Sequence, residues 1–85
     1  MSHTLGKTST VATILARRDG VVTAAKHRLL REPRLAMQRI WFEFDDGKLF
    51  LRGHVPSFYY KQLAQEAVTH LDEVREVVNE IEVLW

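Results

Sequence analysis

Two adjacent carboxylates, Asp45 and Asp46, open the densest stretch of the chain, "FDDGKLFLRGHVPSFYY" at 44–60, which also holds a histidine and several aromatics. A carboxylate pair can do general acid–base work when its surroundings drive the two pKa values apart. Neighbouring residues at a hairpin tip instead point apart into water, and nothing near them in sequence would raise either pKa. No catalytic residue is therefore assigned, and the chain is expected not to be an enzyme. His3, His27, His54 and His70 offer metal chemistry, but their spacing is not that of a ligand set and the chain has no cysteine to complete one. No metal and no cofactor is expected. "GKTS" at 6–9 has the end of a phosphate-binding loop, yet that motif needs a glycine where this chain has Met1 and an apolar strand ahead of it. What remains is the chemistry of binding, through cations and aromatic rings.

The cations are unevenly placed. Up to Ile40 there are eight basic residues against two acidic ones, a balance of +6; from Trp41 onward there are four against nine, a balance of −5. The net +1 thus hides a charge dipole along the sequence. A basic half of this kind attracts phosphates of lipid or nucleic acid, and the competing reading is a solvated face balanced by the acidic half. Lys26, Arg28, Arg31 and Arg34 are the candidate headgroup contacts, with Phe58 and Tyr59 as aromatics resting at a membrane interface.

The elements that must position these residues follow from periodicity. Eighty-five residues make one domain with a small core, and 46% hydrophobic with 27% charged residues is ordinary for a globular chain. Residues 1–20 read as a flexible or partly helical segment, and 21–85 as the folded domain. The apolar run Val11 to Ala16 is too short for a signal-peptide core and far too short for a membrane span. Cytoplasm is the default compartment on that basis. In "VVTAAKHRLLREP" Val22, Ala25 and Leu29 recur at helical spacing, widened by Val21 and Leu30; Asp19-Gly20 marks a start and Pro33 an end.

The period then changes to two. "RIWFEF" sets Ile40, Phe42 and Phe44 on one face, and "KLFLRGHV" sets Leu49, Leu51, Gly53 and Val55 on one face. Asp46-Gly47 between them is a two-residue hairpin turn in which both residues need positive φ. That turn pairs Asp45 with Lys48, Phe44 with Leu49, Phe42 with Leu51 and Ile40 with Gly53, so all the apolar residues meet on one side. The other side pairs Trp41 with Arg52, a candidate cation–π contact, and Glu43 with Phe50. Gly53 is expected to let another backbone or a helix approach closely. Ser57 is a candidate N-cap for the helix "FYYKQLAQEAVTHL", with Tyr60, Leu63, Ala64, Ala67, Val68 and Leu71 as its apolar stripe. "VVNEIEVLW" closes the chain as a strand, with Val77, Ile81 and Val83 on one side. Trp41, Phe50, Arg52 and Leu84 lie on the sheet face away from the helices and form a candidate interaction surface.

From about Val21 to Trp85 the chain resembles the BON domain, the module named for bacterial osmotically inducible and nodulation proteins. The resemblance rests on "FDDGKLFLRGHVPS" (strand, turn, strand, glycine, helix start), on "KQLAQEAVTHL", and on "VREVVNEIEV" with Asn79 and its alternating apolar residues. It implies an α+β fold of order α-β-β-α-β: a three-stranded mixed sheet with two helices packed on one face, the last strand parallel to Leu49–Val55. It also implies no catalytic residues, and a phospholipid-binding or membrane-associated role in the bacterial envelope, including stress response, with the periplasm as the alternative compartment. Two departures stand out. Glu73 occupies the place where the family usually has a glycine before a valine, and neither a signal peptide nor a second copy is read.

The function expected is thus a non-catalytic module that associates with an anionic phospholipid surface. The alternative is a protein–protein interaction or self-assembly module using the open sheet face, which would make the chain a homo-oligomer. Nucleic acid is disfavoured as a partner: the sheet motif and the two-glycine clamp loop of RNA-binding domains are absent, and Glu43, Glu80 and Glu82 would repel a phosphate backbone.

Overall fold

The computed structural model describes residues 18–84. The readings made for residues 1–17 and for Trp85 lie outside the described residues. The elements run in the order α1 (residues 18–30), α2 (Pro33–Ala36), β1 (Arg39–Asp45), β2 (Lys48–Val55), α3 (Phe58–Ala67), β3 (Glu76–Asn79) and β4 (Glu82–Val83). β2 is the central strand, antiparallel to β1 and parallel to both β3 and β4. The fold is α+β with a mixed open sheet, in the order expected.

The hairpin has the register expected from Asp46-Gly47, from Asp45 opposite Lys48 to Arg39 opposite His54. Asp46 (φ 48°) and Gly47 (φ 79°) both take the left-handed conformation that such a turn requires. The turn has a tertiary duty as well. The Gly47 carbonyl accepts from the Arg75 and Glu76 N–H groups (2.7 and 3.2 Å), and the Arg75 guanidinium donates to the Asp46 carbonyl (2.7 Å). The tip of the hairpin, through Asp46 and Gly47, therefore helps to start β3.

The core lies between the sheet and the helices. Val21, Ala25 and Leu29 of α1, Leu35 of α2, and Ala64 with Val68 and Leu71 at and beyond the end of α3 are buried against Phe42, Leu49, Leu51, Val55 and Ile81. Burying one such aliphatic side chain fully is worth about 1.5–3 kcal/mol, so this cluster is what holds both helices on one face.

Several local expectations are corrected. Residues 18–20 are already helical, so Asp19-Gly20 does not start α1. Pro33 does more than end a helix. It opens α2 at a first-turn position, where its missing N–H costs nothing, and Glu32 caps that turn by accepting from the Arg34 N–H (3.4 Å). Leu30 is exposed and takes no part in the apolar stripe. Ser57 holds the N-cap position with an extended backbone, but its side chain makes no capping hydrogen bond. α3 stops at Ala67, short of Leu71, and His70 (φ 62°) turns the chain away.

The closing strand comes in two pieces with one register. Lys48 to Leu51 pair with Glu76 to Asn79, and His54 and Val55 pair with Glu82 and Val83, an offset of 28 residues on both sides of the break. The break lies opposite Arg52 and Gly53. Gly53 has φ 139°, and a Cβ there would sit 1.9 Å from the Arg39 carbonyl oxygen, so the close approach it permits is that of the β1 backbone. Asn79 spans the gap: its Oδ1 accepts from the Ile81 N–H (3.2 Å), and its Nδ2 donates to the Lys61 carbonyl (2.9 Å) and to Gln65 Oε1 (3.2 Å) on α3. Glu73, where the family favours glycine, keeps a left-handed backbone at φ 70° despite its side chain.

Candidate functional site

The residues singled out for binding fall on two surfaces. The first is formed by α1, α2 and the start of α3. Lys26 and Arg31 are exposed and carry no ion pair among the described residues. Arg28 differs. It is half-buried, and its Nη1 donates to the Thr69 carbonyl (3.0 Å), satisfying an acceptor just past the end of α3 where a cation also meets the negative end of the helix. This arginine ties α1 to α3.

Arg34 is also engaged. Its Nε donates to Glu32 Oε1 (2.9 Å), and its Nη1 donates to the Tyr59 hydroxyl, with the guanidinium 5.5 Å from the Tyr59 ring centroid. The hydrogen bond from Arg34, ahead of its charge, holds the Glu32 carboxyl below the usual carboxylate range, and the same partner raises Arg34. Arg34 and Tyr59, 25 residues apart, are thus brought together by the fold. Beside them Lys61 Nζ lies 6.0 Å from the Phe58 ring centroid. Phe58 is 66% exposed and Tyr59 52%, and Leu30 and Met37, just outside α2 on either side, are exposed too. This end of the molecule shows large apolar side chains to solvent among Arg31, Arg34 and Lys61.

An open cleft of about 520 Å³ adjoins it, between α1 and the turn after α3. Its walls include His27, Arg28, Arg31 and His70, facing Asp72 and Glu73. Sequence spacing alone scattered His27 and His70 over different elements; the packing of α1 against the end of α3 places them on one cleft.

The second surface is the open face of the sheet. Trp41 and Leu84 are exposed there, while Phe50 and Arg52 are half-buried. The expected stacking of Arg52 on Trp41 does not occur. Arg52 lies over the Phe50 ring instead (5.1 Å), because its guanidinium donates to Glu43 on one side and to Glu80 Oε1 (3.0 Å) on the other. Trp41 meets His54 edge-on at 6.4 Å, and His54 Nδ1 stands 3.3 Å from Glu82 Oε1. Arg52, the cation lying over Phe50, is therefore shared between two carboxylates.

Among the described residues no helix is long and apolar enough to cross a membrane, and no cluster of three or more histidine, aspartate or glutamate side chains could hold a metal ion. No curated protein matches the chain. Comparison with protein families matches residues 18–84 to the BON domain. With its hairpin, its parallel third strand and its helices on one face, the chain belongs to the BON domain family, a family of binding modules.

Proposed function

We propose that this domain associates with anionic phospholipid surfaces through the end formed by α1, α2 and the start of α3. The observation that carries this reading is the pairing of exposed apolar side chains with cations at one end: Phe58 and Tyr59 stand free of the core while Arg34 and Lys61 lie against their rings. Rings at headgroup depth flanked by long basic side chains are what an interface between lipid and water favours, since the ring buries its body and the cation stays wet. Lys26 and Arg31 supply charge with no ion pair among the described residues to give up. Arg28 and Arg34 contribute to the field but are anchored within the fold. The open sheet face supports this role less, because Arg52 is paired with both Glu43 and Glu80, and His54 lies against Glu82.

The test is co-sedimentation of the full chain with vesicles of phosphatidylglycerol and phosphatidylcholine, against phosphatidylcholine alone, at low and high salt. Binding is expected on the anionic vesicles only, and it should fall as salt rises. Lys26→Glu combined with Arg31→Glu should weaken it about thirtyfold or more, at roughly 1 kcal/mol per basic side chain lost from the surface. Lys26 and Arg31 are chosen because reversing Arg28 would also break its bond to Thr69 and confuse lost binding with a loosened fold. Equal binding by the wild type and the doubly reversed variant would remove the basic end as the lipid contact.

A further inference from the structure

The two rims of the sheet are finished differently. On the β3–β4 rim the ladder is interrupted, and the Ile81 N–H, which would otherwise face outward, is taken by Asn79 Oδ1. A strand arriving there would meet a broken row of donors, which is one way that proteins blunt an edge. Among the described residues the β1 rim is more open. The carbonyls of Leu51 and Val55 accept from Glu80 and Leu84, so the odd-numbered groups of β2 point toward the third strand and the even-numbered ones toward β1. The pairing of β1 with β2 then uses the odd-numbered groups of β1 and leaves the backbone of Ile40, Phe42 and Phe44 facing outward. Among the described residues, only the Ile40 N–H of these groups has another partner, the Gln38 carbonyl at 3.2 Å. Among the described strands none pairs with this seven-residue rim.

The side chains along the rim are complementary to themselves. When β1 runs antiparallel to a second β1 about a two-fold axis at Phe42, all seven residues of each strand overlap. Arg39 then stands opposite Asp45 of the second copy, Ile40 opposite Phe44, and Trp41 opposite Glu43. Phe42 exchanges two backbone hydrogen bonds with its own counterpart, and each Phe44 N–H reaches the opposite Ile40 carbonyl. Arg39 and Asp45 are both exposed, and among the described residues Asp45 makes an ion pair with Arg18 alone, at 3.3 Å. The half-buried Ile40 and Phe44 would cover each other on the helix side.

We infer that this chain forms a two-fold dimer by antiparallel pairing of the β1 rims, making one continuous sheet across both copies, with Arg39 matched to Asp45 in each direction. The occupant of the rim is a second copy because the charge pattern of β1 reads as its own complement when reversed. A register centred on Glu43 would set that carboxylate against itself.

Sedimentation velocity of the full chain over a wide concentration range should show a monomer in exchange with a dimer. Arg39→Asp alone should raise the dissociation constant about tenfold, since two attractive cross-strand pairs become two repulsive ones. Asp45→Arg alone should do the same, and the double variant, which restores opposite charges with their places exchanged, should recover most of the loss. Far-ultraviolet circular dichroism of each variant checks that the monomer is folded. The chain has no cysteine, so Trp41→Cys mixed with Glu43→Cys should form an oxidative cross-link faster than either variant alone. A wild type that stays monomeric at millimolar concentration, a double variant no better than the single ones, or faster cross-linking by Trp41→Cys alone would overturn the inference. No lipid is present in any of these measurements, so their failure leaves the membrane reading untouched.

Discussion

Gly53→Ala is expected to lower the unfolding free energy by about 3–4 kcal/mol, combining the strain of a non-glycine residue at a positive φ with the overpacking of a closed contact. At φ 139° an alanine is strained whatever the space around it, and here there is none: its Cβ would lie 1.9 Å from the Arg39 carbonyl oxygen and 2.9 Å from the Ile40 Cα. Both neighbours are backbone of the paired strand and cannot swing aside as a side chain would. Relief requires β1 and β2 to part at the open end of the hairpin. A domain of this size is stable by only about 5–15 kcal/mol, so the loss is a large share of the total. Urea unfolding followed by circular dichroism measures it as a lower midpoint. Gly20→Ala is the matched control, because a Cβ at that helical position meets nothing within 4 Å. It should raise stability by about 0.5–1 kcal/mol, the usual gain of alanine over glycine within a helix. Similar midpoints for the two variants would refute the argument for Gly53.

Asn79→Ala is expected to cost about 2 kcal/mol. Its amide joins three places: the Lys61 carbonyl and Gln65 on α3, and the Ile81 N–H at the break in the closing strand. Ile81 is almost fully buried, so its N–H would lose a partner in a place where water does not readily replace it, and an orphaned buried donor costs about 1–3 kcal/mol. Asn79→Asp separates the two halves of the role. It keeps an oxygen to accept from Ile81 but loses the donor to Lys61, and it turns a negative charge toward a carbonyl. If the contact with α3 matters, the aspartate variant should be about as damaged as the alanine variant. If only the strand repair matters, it should behave nearly as the wild type. Hydrogen exchange at the Ile81 amide reads this directly, since the alanine variant should lose protection there while the amides of Leu49 and Leu51 keep theirs.

Gly53→Ala acts away from the proposed lipid contact, whereas Asn79→Ala also releases the Lys61 carbonyl beside Phe58, which fixes how binding results are to be read. The basic and aromatic end is assembled by contacts between distant parts of the chain. Arg28 reaches Thr69 across 41 residues and Arg34 reaches Tyr59 across 25. A variant that loosens the sheet can therefore lower vesicle binding without touching a contact residue. Lys26 and Arg31, exposed and unpaired among the described residues, are the positions where altered binding reports charge alone.

By itself the sequence determined the elements whose signals are local and redundant. The hairpin register was legible because two independent constraints agree: Asp46-Gly47 demands a two-residue turn, and only that turn brings the apolar residues of both strands to one face. α3 was legible from its long apolar stripe, and the family from the hairpin, the second helix and the Asn79 strand taken together. Tertiary structure decided what depends on a distant partner. Pro33 carries the same local signal whether it stops one helix or starts the next, and only the packing of Leu35 into the core selects the second role. The split of the closing strand falls opposite Gly53 of a neighbouring strand and is spanned by Asn79, which also reaches α3. Arg52 prefers Phe50 to Trp41 because Glu80, 28 residues later, pulls on its guanidinium together with Glu43. Of the four basic candidates on and between the first two helices, packing alone separated Arg28 and Arg34, which reach Thr69 and Tyr59, from Lys26 and Arg31, which face the solvent. The physical reason is the same throughout: periodicity fixes which face of an element is buried, but a long polar side chain chooses its partner only after the elements have met.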